Sequence, residues 1–246
     1  RMQAQELGLM HFWQAGDAIT HSVAWLLLAM SIVSWYFILS KAWSTWRMRR
    51  GAHAALEQFW NARTMDEALA TLESADRERV FVPLARKAHT AAAMQRDDSL
   101  AASVDRDEIV TRVLRREITQ VSARLESGLA LLASVGSTAP FVGLFGTVWG
   151  IYHALLSIAS SGQVMIDRVA GPVGEALAMT AAGLAVAIPA VLAYNAFVRA
   201  NRVVLAELDG FAHDLLALVT TGQRLREQRD ALRSGPAPLA VGAVVR

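Results

Sequence analysis

The sequence predicts an all-α membrane protein with three transmembrane helices. The second and third are long and extend into the cytoplasm, where they meet a helical cytoplasmic domain. Three observations carry this. The chain has 246 residues with 54% hydrophobic content and a mean hydropathy of +0.31, more apolar than a soluble domain of ordinary composition. The apolar residues concentrate in three blocks, 18–40, 129–160 and 169–198, each at least the roughly 20 residues a bilayer-spanning helix needs. Nearly all the charge lies between and after these blocks.

The elements follow in chain order. Position 1 is Arg rather than Met, which predicts that an upstream segment was removed or left out. Residues 1–17 form an external segment in which Leu7, Met10, Phe12 and Trp13 cluster. They suit an amphipathic helix lying on the membrane face, with a frayed terminus as the alternative. Transmembrane helix 1 (18–40) carries no charge between Asp17 and Lys41, and Trp35, Tyr36, Trp43 and Trp46 crowd its C-terminal end. Aromatic rings favour the interface, and Lys41, Arg47, Arg49 and Arg50 just beyond mark that end as cytoplasmic by the positive-inside bias. The N-terminus is therefore expected outside.

Residues 41–128 read as a cytoplasmic helical domain, rich in Ala, Leu, Arg and Glu, with Pro83 its one proline. Near its end Ile109, Val113, Ile118, Val121 and Leu125 recur at helical steps, which predicts an amphipathic helix running unbroken into transmembrane helix 2 (129–160). A short external loop (161–168) holds only Asp167 and Arg168 as charges. Transmembrane helix 3 (169–198) continues into a cytoplasmic helical tail (199–233), with Leu205, Leu208, Phe211 and Leu215 on one side. Arg199 and Arg202 place its start in the cytoplasm. Gly235, Pro236 and Pro238 make 234–246 a disordered end.

Composition excludes several function classes. A net charge of +2 gives a nucleic-acid partner little support. The absence of cysteine excludes disulfides, thiolate catalysis and Cys-ligated metals. No lysine follows the glycines of helix 2, so a phosphate loop is excluded.

The polar and small residues inside the spans carry what chemistry there is. Gly143, Gly146 and Gly150 fall on one face of helix 2, a stripe that suits close helix packing, and Thr147 lies one residue after Gly146. Pro140 frees a carbonyl near Gly136 that neighbouring serines are placed to satisfy. In helix 3, Thr180 and Gly183 share a stripe, Pro189 is positioned to kink the helix, and Glu175 stands about 140° round from Thr180. A carboxylate within the bilayer costs about 2.5–3.5 kcal/mol on insertion scales, so it faces a cavity, a partner or the bundle interior by default. No basic residue lies inside any span, so Glu175 is expected to exchange protons. His153 reads as a hydrogen-bonded packing residue rather than a metal ligand.

The stretches "APFVGLFGTVWGI" (139–151) and "GEALAMTAAGLAVAIPAVLAYN" (174–195) resemble the MotA/TolQ/ExbB family, and within it the ExbB branch, towards which Phe141 and Val142 lean. Gly174 and Met179 stand where relatives often carry Ala. The resemblance implies a subunit of the bacterial inner membrane, N-terminus periplasmic and C-terminus cytoplasmic, forming a homopentamer whose second and third helices line a central pore. It implies a single-span ExbD-like partner, present as a dimer in that pore, and a TonB-like transducer. The proton motive force would drive outer-membrane nutrient import, with protons as the coupling ion and no cofactor. By motif position Thr147, Glu175 and Thr180 become pore-lining residues; Gly143, Gly146, Gly150, Gly183, Pro140 and Pro189 shape the helix packing. The main proton carrier is expected on the partner. The competing expectations are a TolQ-like subunit of the Tol-Pal envelope system, with the same mechanism, and a scaffold that conducts nothing. No nucleophile, metal cluster or nucleotide loop supports an enzyme.

Overall fold

The computed structural model describes residues 17–94, 106–161 and 166–221. The expected interfacial segment up to residue 16, the end of the tail and the disordered C-terminus lie outside the described residues. Six helices make up what is described: α1 (Ala18–Asn61), α2 (Met65–Ala75), α3 (Val82–Met94), α4 (Arg106–Glu126), α5 (Leu129–Ser161) and α6 (Ile166–Thr221). No strand occurs among the described residues. Three helices are long and apolar enough to cross a membrane; the expected all-α, three-span class holds. Asp167 and Arg168, expected in the loop, fall within the backbone of α6.

The chain divides into two units. The first takes residues up to 45 together with 126–200 and contains the apolar parts of α1, α5 and α6. Its core is made of Val23 and Leu27 from α1, Leu132, Val135 and Ala139 from α5, and Met179, Ala187 and Ala190 from α6. Large apolar side chains face outward on all three helices, among them Trp25, Ile32 and Tyr36, Phe141, Val148 and Leu155, and Leu177, Ile188 and Leu192. An outer surface of this kind suits hydrocarbon or further helices and is unfavourable in water.

The second unit joins residues 46–125 to the stretch after 200. Its centre is aromatic: the Phe211 ring of α6 meets Phe59, Trp60 and Phe81 edge to face, at centroid distances of 5.2, 5.8 and 5.7 Å. Val204, Leu208 and Leu215 of α6 are buried in the same core. Local chemistry starts its helices. The Thr64 hydroxyl accepts the Glu67 amide at 3.2 Å and caps α2. The Asp76 carboxylate accepts the amides of Val80, Phe81 and Val82 at 3.0, 2.6 and 2.9 Å ahead of α3. Pro83 sits in the first turn of α3, where its missing N–H costs nothing.

Two sequence expectations change in this region. The helix expected to run unbroken into the second span is interrupted at 127–128, where Gly128 has φ +79°. A side chain there would also meet the Phe37 ring, 2.5 Å from the position of a Cβ. The buried stripe of α4 is Val110, Leu114, Glu117, Val121 and Leu125, displaced from the Ile109, Val113 and Ile118 series. Glu117, 2% exposed, pairs with Lys87 of α3, so a charged residue occupies a core-facing position. The Asn201 amide donates to the Leu125 carbonyl at 2.8 Å, satisfying a C-terminal acceptor that α4 leaves open.

Candidate functional site

In the first unit, α5 and α6 come together through glycine. A Cβ on Gly143 would lie 2.6 Å from the Met179 carbonyl oxygen and 3.1 Å from Gly183 Cα. On Gly183 it would lie 2.6 Å from the Ala139 carbonyl oxygen. The Gly150 position is 2.9 Å from Ala176 Cβ, and Gly146 meets Met179 and Val23, both at 3.1 Å. The two backbones therefore approach at distances that only hydrogen side chains permit. Gly136, two turns before Gly143, is equally tight against Val191.

Close approach brings hydroxyls to carbonyls across the interface. The Thr147 hydroxyl is 3.0 Å from the Ala176 carbonyl and 3.2 Å from that of Gly143, and it pairs with the Thr180 hydroxyl. Each hydroxyl has one proton. With that of Thr147 directed to Ala176, Thr180 is the donor in the threonine pair. Thr147 is buried and Thr180 half-buried, so the pair lies inside the α5–α6 contact.

Glu175 stands apart from the threonines. It is half-buried and lines a cavity of about 260 Å³ where the start of α1, the later part of α5 and the start of α6 meet. Asp17, Thr20, Gly146, Gly150, His153 and Ala176 share that lining. The 140° offset from Thr180 is thus realised as two environments, a hydroxyl-bonded helix contact and a polar cavity. Among the described residues no three His, Asp or Glu side chains converge to hold a metal ion.

Sequence reasoning missed Asp17 and His153 as a pair: His153 Nε2 is 3.0 Å from Asp17 Oδ2. The signal lay in spacing, since His153 continues the Gly146 and Gly150 stripe by three residues. The expected role of the serines near Pro140 does not hold. Ser134 donates to the Ala130 carbonyl, and Ser137 and Thr138 both donate to that of Ser134; none serves Gly136. Pro140 and Pro189 both lie within continuous helix.

These features define a multi-pass, all-helical membrane protein with polar groups gathered inside its spanning bundle. The chain belongs to the MotA/TolQ/ExbB proton channel family, whose model matches residues 84–210. It is 46% identical over 217 residues to the biopolymer transport protein ExbB of Xanthomonas campestris pv. campestris (strain B100), covering 86% of each chain. It is 39% identical over 225 residues to the protein of the same name from Neisseria meningitidis (strain Z2491), covering 89% of this chain and 97% of the relative. The Tol-Pal system protein TolQ of Pseudomonas aeruginosa matches at 32% over 197 residues, 78% of this chain and 84% of the relative.

Proposed function

We propose that this chain is the inner-membrane proton-channel subunit that, with an ExbD-like partner, uses the proton motive force to energise TonB-dependent import across the outer membrane. Membership of a proton channel family supports the channel role. The 46% and 39% identity to the two relatives named ExbB above, against 32% to the one named TolQ, favours the TonB-type assignment over the Tol-type one. A non-conducting scaffold explains the glycines but gives no reason for Glu175.

In this reading the protein is a homopentamer around a partner dimer, with the start of α1 on the periplasmic side. Glu175, Thr147 and Thr180 belong to the ion pathway. The threonine pair holds α5 to α6 and presents oxygen atoms between them, while Glu175 supplies an exchangeable carboxyl group. The observation that carries the proposal is Glu175, half-buried at a polar cavity within an otherwise apolar span, because a bilayer tolerates such an acid mainly where it has work with ions or partners.

The test is Glu175→Ala. Energy-dependent uptake of an iron complex should be abolished while the complex still purifies with its single-span partner. Full uptake by the assembled variant would sink the assignment.

A further inference from the structure

The cavity beside Glu175 has a second titratable feature at its edge, and the sequence motifs do not account for it. Asp17 is the residue before α1, and its backbone carbonyl accepts the His21 amide at 3.0 Å, as an N-cap does. Its side chain is 55% exposed and reaches across to His153 on α5. The imidazole is held in place by Trp149, 4.7 Å away between ring centroids, and by the edge of Tyr152 at 5.6 Å. His153 Nδ1 is buried and has no hydrogen-bond partner among the described residues. Nε2 is the ring nitrogen that faces Asp17.

Asp17, His153 and Glu175 line one cavity of about 260 Å³. At about 30 Å³ of liquid volume per molecule, a space of this size and polarity admits several waters. The described titratable groups around it are Asp17, with His21 one turn along α1, then His153 from α5 and Glu175 from α6.

We propose that Asp17 and His153 form a proton-exchange pair between the aqueous phase at this end of the spans and the Glu175 carboxylate. The proposal rests on the proton-channel reading above and adds a route by which protons reach or leave Glu175. In one transfer the acid form of Asp17 gives its proton to Nε2 of neutral His153. The resulting imidazolium releases that proton through the cavity to ionised Glu175, which becomes a neutral carboxylic acid. One proton moves from Asp17 to Glu175, His153 returns to its neutral form, Asp17 is left as a carboxylate that the aqueous phase reprotonates, and no electrons are exchanged.

The test uses the intact complex with its single-span partner in liposomes. A potassium diffusion potential drives flux at equal pH on both faces, so the pH series does not alter the driving force. Wild-type flux should show a step across the pH series. His153→Gln should lose that step, with flux at neutral pH reduced about tenfold or more. External imidazole should restore flux to His153→Ala. Asp17→Asn keeps a capping side chain but cannot exchange protons, and should reduce flux severalfold; Asp17→Glu should recover it.

A His153→Gln complex with wild-type flux and pH profile overturns the proposal, as does an assembled His153→Ala complex that imidazole fails to restore. If His153 variants do not assemble, the Asp17 pair decides, with equal flux in Asp17→Asn and wild type overturning the route. Absence of flux in the wild-type complex would overturn the channel reading itself, a result distinct from all of these.

Discussion

Thr147 does at residue scale what a membrane helix finds hard to do otherwise, which is to place a hydrogen-bond donor where the neighbouring backbone can use it. Its hydroxyl reaches the Ala176 carbonyl because Gly143 and Gly150 on either side let the helices close. Hydrogen bonds of this kind contribute about 0.5–2 kcal/mol in membrane proteins, so Thr147→Val should lower stability by that order, read as a drop in the purified complex's unfolding temperature. Glycines in different surroundings should respond differently to the same change. Gly143→Ala places a methyl group 2.6 Å from the Met179 carbonyl and should disrupt the α5–α6 contact, whereas Gly174, with nothing within 4 Å, should accept Ala with little loss. Thermal unfolding of the two complexes side by side checks this; equal midpoints would refute it. The glycine stripes were legible in the sequence because small residues at helical steps have one strong use. The partnership of Asp17 with His153 was not, because the two are 136 positions apart, the difference of their numbers. Only the folded chain puts the start of one span beside the end of another.

At the scale of elements, the three apolar spans were readable from length and hydropathy, but the register of α4 was not. Its buried stripe runs through Glu117, and a charge at a core position breaks the apolar period that a sequence reading follows. What permits the charge is Lys87, half-exposed itself, which pairs with the carboxylate from α3. The break between α4 and α5 was missed for a related reason: one glycine in a helical pattern is ambiguous until its backbone conformation is known. Gly128 takes the left-handed conformation that ends many helices. For an L-residue this costs about 1–2 kcal/mol, and here the Phe37 ring also fills the space. Gly128→Ala should therefore destabilise the protein by more than the backbone cost alone. Combining it with Phe37→Ala should recover the clash but not the backbone part. A double-mutant cycle on thermal stability measures the coupling, and strict additivity of the two changes would contradict the contact.

For the whole molecule, the second unit constrains how the chain threads the membrane. Its core joins Phe59, Trp60 and Phe81, all before the second span, to Phe211, after the third. Residues packed in one core share one side of the bilayer, so the chain crosses an even number of times between them. α5 and α6 supply those two crossings, and α1 supplies a third that puts its own beginning on the opposite side. The parity follows from packing alone and is independent of charge. The side is the one proposed above: Lys41, Arg47, Arg49 and Arg50 after the first span and Arg199 and Arg202 after the third would face the cytoplasm by the positive-inside bias. The absence of cysteine makes the arrangement directly measurable. Glu57→Cys and Asp209→Cys, both at exposed positions of the second unit, should resist a membrane-impermeant maleimide in intact spheroplasts and label fully once the membrane is opened. Ala18→Cys, exposed at the start of α1, should label before opening. Opposite behaviour of positions 57 and 209 would contradict the shared core, while joint labelling of both from outside would keep the core and reverse the orientation.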